Sequence, residues 1–348
     1  MAVYTTIDDA GSYFNTLLYE GNSNPGPGSQ SITGVGFQPD FVWIKNTDQG
    51  YAPTLFDSVR GATEALETSD NGGQATDANS LTAFDADGFS LGSNEATNGD
   101  SQVSWNWKAN GTGSANTEGD IDTTISANTT SGFSIIGGCD DLSDGDTFGH
   151  GLDSAPNMVW LKRTDSTSGW RVFYTGITSG STLILNETDA VASDNDCINS
   201  VSSTLITIKG SGTGGTEGTG DNVAYAWQSV QGYSKIGSYI GNGNANGTFV
   251  YTGFRPAFLL SKMSSGTQGW FLIDNKRAYP YNPVDGSLHP NANAAEDTSS
   301  DFFVDFTSNG FKCRDSDAQL NGDGSTYIYM AFAHSPFVNS EGVPTNAR

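Results

Sequence analysis

Three segments of this sequence share one pattern, in which a proline is followed six positions later by a lysine, with an apolar stretch between them. They are residues 36–45 (GFQPDFVWIK), 155–162 (APNMVWLK) and 253–262 (GFRPAFLLSK). Proline suits the start of a strand, where its missing N–H costs no ladder hydrogen bond. A continuous apolar run is typical of a strand covered on both faces. Because tandem copies must each rebuild the same core, this Pro-to-Lys segment constrains the fold more than any single motif.

Further signals follow each Pro-to-Lys segment in the same order. An aromatic residue comes first, namely Tyr51, Trp170 or Trp270. Each copy then closes on an alternating apolar stretch, in VSWNW, VAYAW and YIYMAF. Alternation places one face of a strand on a core, and Asp-Gly and Asn-Gly pairs supply hairpin turns. We therefore predict an all-β fold of three tandem antiparallel β-sandwich modules.

Changes in composition give the domain boundaries. We predict module 1 in residues 1–110, a polar linker in 111–130, module 2 in 131–230, module 3 in 231–337 and a C-terminal tail in 338–348. Residues 209–222 are rich in glycine and are predicted to form a flexible, exposed loop inside module 2. Only residues 60–67 show a pattern that would allow a turn or two of helix.

The charge of the chain excludes several classes of partner. It has 39 acidic and 15 basic residues, a formal net charge of −24. Nucleic acids and anionic membranes both attract clustered Lys and Arg, so neither is an expected partner. No apolar run approaches the ~20 residues of a membrane span, and the start MAVYTTIDDAGSYF lacks the marks of a signal peptide. We predict assembly in a cytoplasm without membrane insertion.

Residues suited to catalysis are scarce. The only histidines are His150, His289 and His334, and none lies near a G-x-S-x-G elbow. Acidic residues fall in turn-like runs rather than on apolar strands, where burial would raise the pKa that glycoside hydrolysis needs. We predict no enzymatic activity, no catalytic residues and no cofactor-binding residues. A glycan depolymerase remains the weaker alternative.

Calcium is the one metal that the sequence brings into consideration. Asp140, Asp141, Asp144 and Asp146 cluster in one loop of hard oxygen ligands, although their spacing does not fit the EF-hand template. Solvated Asx turns explain the cluster better than a metal site does. The cysteines, Cys139, Cys197 and Cys313, are too scattered for a disulfide framework, so we expect buried free thiols.

Tryptophans close to strand ends admit two interpretations. Trp43, Trp105, Trp160 and Trp270 could form platforms on which sugars stack. They recur at matching positions of the repeat, however, and a module must rebuild its core in every copy. We therefore predict that these side chains lie in the core.

Several motifs together resemble a family of structural proteins in tailed bacteriophages, notably those of marine bacteria and cyanobacteria. The stretches are TIDDAGSYFNTLLYEGN, GFQPDFVWIKN, LFDSVRGATEAL, TDANSLTAFDADGFSLG, VSWNWKA, YIYMAFAHSPF and GVPTNAR. The resemblance covers most of the first copy and the end of the third, whereas the second copy has FYTGITSG in place of the SVRGAT segment. It implies a virion component that is tail- or fibre-related, with lectin-like or jelly-roll-like β-sandwich modules. It brings no catalytic residues.

These observations give one expected function and two alternatives. We expect a non-enzymatic virion structural protein, a tail fibre or tail appendage that presents β-modules for host attachment. A capsid decoration or head-fibre protein is the main alternative, since the sequence contains no coiled-coil or collagen-like shaft. Expected partners are other virion proteins, a host-surface glycan or receptor, and further copies of the chain in a homo-oligomer.

Overall fold

The computed structural model describes residues 5–23, 28–215, 217–277, 282–298 and 303–336, so the predicted C-terminal tail, 338–348, lies outside the described residues. Regular structure within these ranges is almost entirely strand, and every strand pair is antiparallel. Helix is confined to a 3₁₀ turn, Ala10–Ser12, and one α-turn, α1, Glu95–Asn98. The predicted all-β antiparallel sandwich fold is confirmed.

The first module contains two sheets. Its strands are β1 (Phe14–Glu20), β2 (Gln30–Thr33), β3 (Phe41–Asn46), β4 (Thr54–Asp57), β5 (Gly61–Glu67), β6 (Ala75–Thr76), β7 (Leu81–Asp85), β8 (Gly88–Leu91) and β9 (Ser101–Trp107). The larger sheet has the order β1-β9-β3-β4-β5-β6, and the smaller sheet has the order β2-β8-β7. The Pro-to-Lys strand β3 thus lies inside the larger sheet.

The second module follows the same plan with two strands added in front. Its strands are β10 (Ser114–Asn116), β11 (Thr123–Asn128), β12 (Phe133–Gly137), β13 (Thr147–Gly149), β14 (Met158–Arg163), β15 (Arg171–Tyr174), β16 (Ser181–Ile184), β17 (Ala192–Ser193), β18 (Cys197–Val201), β19 (Leu205–Lys209) and β20 (Asn222–Trp227). The larger sheet is β10-β11-β12-β20-β14-β15-β16-β17, and the smaller is β13-β19-β18. Residues 111–130 were predicted to be a linker, and this is wrong, because β11 pairs with β12, β10 pairs with β11, and both strands widen the sheet.

The third module repeats the shared part of this arrangement. Its strands are β21 (Ser234–Ile240), β22 (Phe249–Tyr251), β23 (Phe254–Met263), β24 (Trp270–Asp274), β25 (Val304–Thr307), β26 (Gly310–Cys313) and β27 (Thr326–Pro336). The larger sheet is β21-β27-β23-β24, and the smaller is β22-β26-β25. In all three modules the last strand (β9, β20 or β27) therefore lies between the first strand of the shared plan (β1, β12 or β21) and the Pro-to-Lys strand.

The Pro-to-Lys strand is covered on both faces, as its apolar run predicts. In β3, Val42 and Ile44 point into the sandwich core of the first module, where they meet Phe89 of the smaller sheet. Phe41 and Trp43 point the opposite way, into a cluster of buried residues that runs through all three modules. The strand alternation thus serves two cores at once.

That second cluster, the central core, is where the larger sheets of the three modules meet. Trp43 packs against Trp160 of the second module with ring centroids 5.6 Å apart, and Trp107 packs against Phe258 of the third at 5.6 Å. Phe14 of the first module also stacks on Phe332 at 4.9 Å. The modules are therefore not separate units along the chain, because all three contribute buried residues to one cluster.

Two local expectations from the sequence are wrong. Within residues 60–67, Gly61–Glu67 form strand β5 rather than helix, and Thr63 has a φ of +72°, which an α-helix excludes. The glycine-rich loop 209–222 is only partly exposed, since Ser211 and Thr213 are buried. Glycine explains the second result, because a β-carbon at Gly210 would collide with the backbone carbonyl oxygen of Asn195. The absence of side chains lets this loop lie tightly on the module.

Candidate functional site

The lysine that ends each Pro-to-Lys segment is buried. Lys45, Lys162 and Lys262 are at most 1% exposed. Each Nζ donates to the carbonyl of the following residue, at 2.6, 2.8 and 2.6 Å respectively. Burial lowers the pKa of each ammonium group to about 8. These groups are held by backbone oxygens rather than aimed at an open cavity.

Two of the lysines also bond across a boundary between modules. Lys162 Nζ donates to the carbonyl of Asn71 in the first module at 3.4 Å. Lys262 Nζ donates to the carbonyl of Thr188 in the second module at 3.1 Å. The second and third modules are therefore each joined to the preceding module by the equivalent lysine.

The tryptophan eight positions after the lysine makes a second bond of this kind. Trp170 Nε1 donates to the carbonyl of Glu67 at 3.0 Å, and Trp270 Nε1 donates to the carbonyl of Ile184 at 2.9 Å. The two acceptors are equivalent. Glu67 ends β5, which pairs with β4 in the first module, and Ile184 ends β16, which pairs with β15 in the second. In the first module Pro53, not Tyr51, holds this position. Tyr51 instead donates to a carboxylate oxygen of Glu95 at 2.7 Å.

A buried Asp-x-x-Arg pair in the first module links it to the second. Asp57 Oδ2 accepts a bond from Arg60 Nε at 2.5 Å, and both side chains are buried. The hydroxyl of Tyr225, in the second module, donates to the same oxygen at 2.7 Å. The carboxylate therefore lies at a boundary and is satisfied from both sides.

The third module carries the same pair, facing the first. Asp274 Oδ2 accepts from Arg277 Nε at 2.7 Å and from Trp105 Nε1, in the first module, at 3.1 Å. Trp105 and Tyr225 occupy equivalent positions on the last strand of their modules. The contacts thus run around a closed ring of three modules, first to third, third to second and second to first.

Sequence reasoning missed these pairs, although a signal was present. In FDSVR and IDNKR the aspartate falls twelve positions after the buried lysine, with arginine three positions later. The second module has Tyr174 and Ile177 at these positions, which matches its departure from the repeat. Because the chain contains many aspartates, this Lys-to-Asp-to-Arg spacing is not recognised as a repeat until the strand register is known.

A cleft of about 380 Å³ opens between the first and third modules. Glu20, Gln102, Arg277 and Glu296 are among the residues that line it. Two carboxylates in one cleft are the arrangement that glycoside hydrolysis uses, and burial raises the pKa of Glu296. Arg277 Nη1, however, lies 2.8 Å from Glu296 Oε1 and opposes that rise. The pair favours a charged, anchored carboxylate over a proton donor.

The four aspartates considered for calcium lie in one loop, but each carboxylate accepts a different backbone N–H. Asp140 accepts from Asn222 at 2.8 Å and Asp141 from Gly220 at 3.1 Å. The remaining acceptors are the carboxylates of Asp144, bonded to Gly210 N at 3.0 Å, and Asp146, bonded to Ser143 N at 2.7 Å. Among the described residues, no group of three or more His, Cys, Asp or Glu is arranged to hold a metal ion. Three of the four bonds instead tie this loop to the glycine-rich segment.

The histidines are separated in the structure. His150 is buried, accepts the N–H of Leu152 at 3.1 Å and has a pKa lowered by burial. His289 Nδ1 lies 2.8 Å from the carbonyl of Trp270, and His334 lies on the exposed end of β27. The structure brings no two of them together.

The cysteines are free and buried, which confirms the expectation from the sequence. Burial raises the pKa of Cys197 to about 11, and it raises that of Cys313 to about 12. Such thiols carry too little thiolate for nucleophilic chemistry near neutral pH.

The tryptophans belong to the core, as the repeat predicts. Trp43, Trp105, Trp160 and Trp270 are each 1% exposed, so none of them can serve as a platform for a ligand.

The described part of the chain has no helix that is both long and apolar enough to cross a membrane.

The fold and its junctions define a three-module all-β body in which the buried charges fasten the modules together. The chain belongs to the family described as Domain of unknown function (DUF7483), whose model matches residues 9–336. The match spans all three modules, so the family unit is the whole ring rather than one repeat. No curated protein matches the chain. No solved structure matches it either.

Proposed function

We propose that this chain is a non-enzymatic structural protein of a bacteriophage virion, a tail-fibre or tail-appendage component that presents its modules for host attachment. One observation supports a structural role above the others. Its buried lysines and Asp-Arg pairs bond across or beside module boundaries, as in Tyr225 to Asp57 and Lys262 to Thr188. Groups that could perform chemistry are engaged in holding one rigid body together.

The phage assignment rests on the resemblance of several sequence stretches in the expected order. A net charge of −24 fits a particle surface that stays soluble and avoids non-specific adhesion. The proposed location is the virion, assembled in the host cytoplasm. The proposed partners are other virion proteins, further copies of the chain, and a glycan or receptor on the host.

The alternative placement is on the head, as a decoration or head-fibre protein. It is favoured by the closed ring of modules, which makes a compact body rather than an extended one. A compact body suits a lattice position, whereas a long fibre requires a shaft.

Immunogold labelling of intact virions of the encoding phage tests the proposal. Label on the tail is the expected result, and label on the head supports the alternative. A chain that is absent from purified virions would refute both placements.

The depolymerase alternative is tested separately with host polysaccharide and a reducing-end assay. We expect no release of reducing ends. Release that disappears in Glu296→Gln, but persists in the exposed-pair variant Asp165→Asn, would establish the enzyme and overturn the non-enzymatic reading.

A further inference from the structure

The smaller sheet of the third module carries an exposed aromatic pair. Phe249 and Tyr251 are 46% and 51% exposed, whereas Val250 between them is buried. Residues two apart on a strand point to the same face, about 7 Å from each other. Large exposed aromatic groups side by side are unusual on a soluble protein and mark a binding surface.

The repeat supplies an internal comparison for this pair. The equivalent strands of the other modules also place one apolar residue inward, Ile32 in the first and Phe148 in the second. The residues on either side of it are Ser31 and Thr33 in the first module, and Thr147 and Gly149 in the second. The sandwich is therefore built without aromatics at these positions, so packing does not account for Phe249 and Tyr251.

The neighbouring strand leaves the pair accessible. Gly310 lies opposite Tyr251 in the pairing of β22 with β26. A β-carbon at Gly310 would come within 3.1 Å of the Phe249 ring, which shows that the ring lies against the sheet at this glycine. Next to Tyr251 opens a cleft of about 480 Å³, lined in part by the polar side chains of Ser229, Gln231 and Lys235.

Two lysines flank the pair in an otherwise acidic protein. Lys235 Nζ lies 5.3 Å from the centroid of the Tyr251 ring and donates to the Tyr251 carbonyl at 2.8 Å. Lys312 is the register partner of Phe249, on the same face of the sheet. The nearest carboxylate along this row, Asp305, is already paired with Arg314 at 3.0 Å. The charge beside the rings therefore complements an anionic ligand.

We propose that this aromatic face binds a saccharide chain that carries acidic groups. Pyranose rings stack by their C–H faces on Phe249 and Tyr251, while hydroxyls bond to the polar cleft and acidic groups pair with Lys235 and Lys312. Apolar rings with a few well-placed polar groups are what such a ligand needs. The inference deepens the proposed attachment function, on which its biological meaning rests.

The test uses the purified full chain, with polygalacturonate oligosaccharides as the acidic probe and dextran oligosaccharides as the neutral one. Binding is measured by calorimetry. We expect the acidic probe to bind in a salt-sensitive manner and to bind more tightly than the neutral one. The variant Phe249→Ser with Tyr251→Thr carries the residue types that the first module has at these positions. It is expected to bind the acidic probe at least tenfold more weakly.

The matched control is Ser31→Ala with Thr33→Ala, at the equivalent positions of the first module, which is expected to leave binding unchanged. Equal melting temperatures for all proteins establish that the exposed substitutions preserve the fold. Lys235→Met with Lys312→Met is expected to remove the preference for the acidic probe.

Unchanged binding by the aromatic variant, or no binding by the unmodified chain at millimolar probe, would overturn the inference. The inference would also be overturned if the aromatic variant changed the oligomeric state of the protein in solution but not its binding of saccharide. The pair would then join two copies of the chain. Virion labelling reports on the proposed function independently, so the failure of one can be told from the failure of the other.

Discussion

The hydroxyl of Tyr225 offers a sharp test of how the modules are joined. This side chain is fully buried, and its Oη donates to Asp57 Oδ2 across the boundary between the first and second modules. Tyr225→Phe keeps the ring and leaves no large cavity, but it removes one donor from a buried carboxylate. Hydrogen bonds to charged groups are worth about 1.5–3 kcal/mol, so we expect the free energy of unfolding to fall by that amount.

Tyr233→Phe is the matched control. Tyr233 is 1% exposed, and its Oη has no hydrogen-bond partner among the described residues. An unpaired buried hydroxyl costs ~1–3 kcal/mol, so its removal is expected to leave stability unchanged or to raise it. The two variants lose the same atom at similar burial, and they differ only in the partner of that atom.

The measurement is guanidinium unfolding followed by tryptophan fluorescence, which the buried indoles of all three modules report. We expect one transition with the same slope for all three proteins, because one central core joins the modules. The reasoning is refuted if Tyr225→Phe and Tyr233→Phe change the unfolding free energy equally. Two separate transitions in the unmodified chain would also contradict it.

Three further predictions follow from the same contacts. Between pH 8 and 10 each buried lysine binds fewer protons in the folded chain than in the unfolded one, because burial holds its pKa at about 8 against an ordinary 10.5. The lysines therefore favour a rise of stability with pH, whereas the buried cysteines, whose pKa values are raised by burial, favour a fall. The lysine contribution is measured by difference: thermal melts at pH 7.5, 8.5 and 9.5 are expected to show the unmodified chain gaining stability relative to Lys262→Met as the pH rises. Asp274→Asn leaves a buried arginine underpaired and is expected to cost about 3–5 kcal/mol, whereas Asp165→Asn at a more exposed pair is expected to cost at most about 1 kcal/mol, by chemical denaturation. Residues 114–227 expressed alone expose the aromatic face that normally lies in the central core, so we expect aggregation or strong binding of a hydrophobic dye; a soluble monomer with a cooperative melt would contradict the shared core.

The repeated strands could be predicted from the sequence because their signals are local. Proline at the start, apolar residues throughout and lysine at the end predict a strand covered on both faces, and β3 is such a strand. What covers each face could not be predicted. The carbonyl of Asn71 that receives Lys162, and that of Thr188 that receives Lys262, are far along the chain and carry no side-chain signal.

Other features were hidden by the composition. The Asp-x-x-Arg pairs of the junctions are short motifs in a chain with many aspartates. Only the register of β4 and β24 shows that Asp57 and Asp274 are equivalent. The linker prediction failed for a related reason. The polar strand β11 pairs by its backbone between the edge strand β10 and β12, which requires little apolar alternation.

The exposure of the aromatic pair could not be predicted from the sequence either. Phe249, Val250 and Tyr251 are all apolar or aromatic residues of one strand, so the sequence does not indicate which face of the strand is exposed to solvent. Burial decides it, and the other two modules supply the comparison that gives the finding its meaning.

The closure of the three modules has a consequence for connectivity. Phe14 on β1 stacks on Phe332 on β27, so the first and last strands along the chain are neighbours in space. The backbone therefore traces a loop that side chains complete. Cutting the backbone between the second and third modules, near residues 228–233, and joining the first module to the third through a linker would exchange one covalent crossing for another. A circularly permuted chain that begins with the third module is expected to reach the same fold, since the order of the modules along the backbone is not what holds them in place.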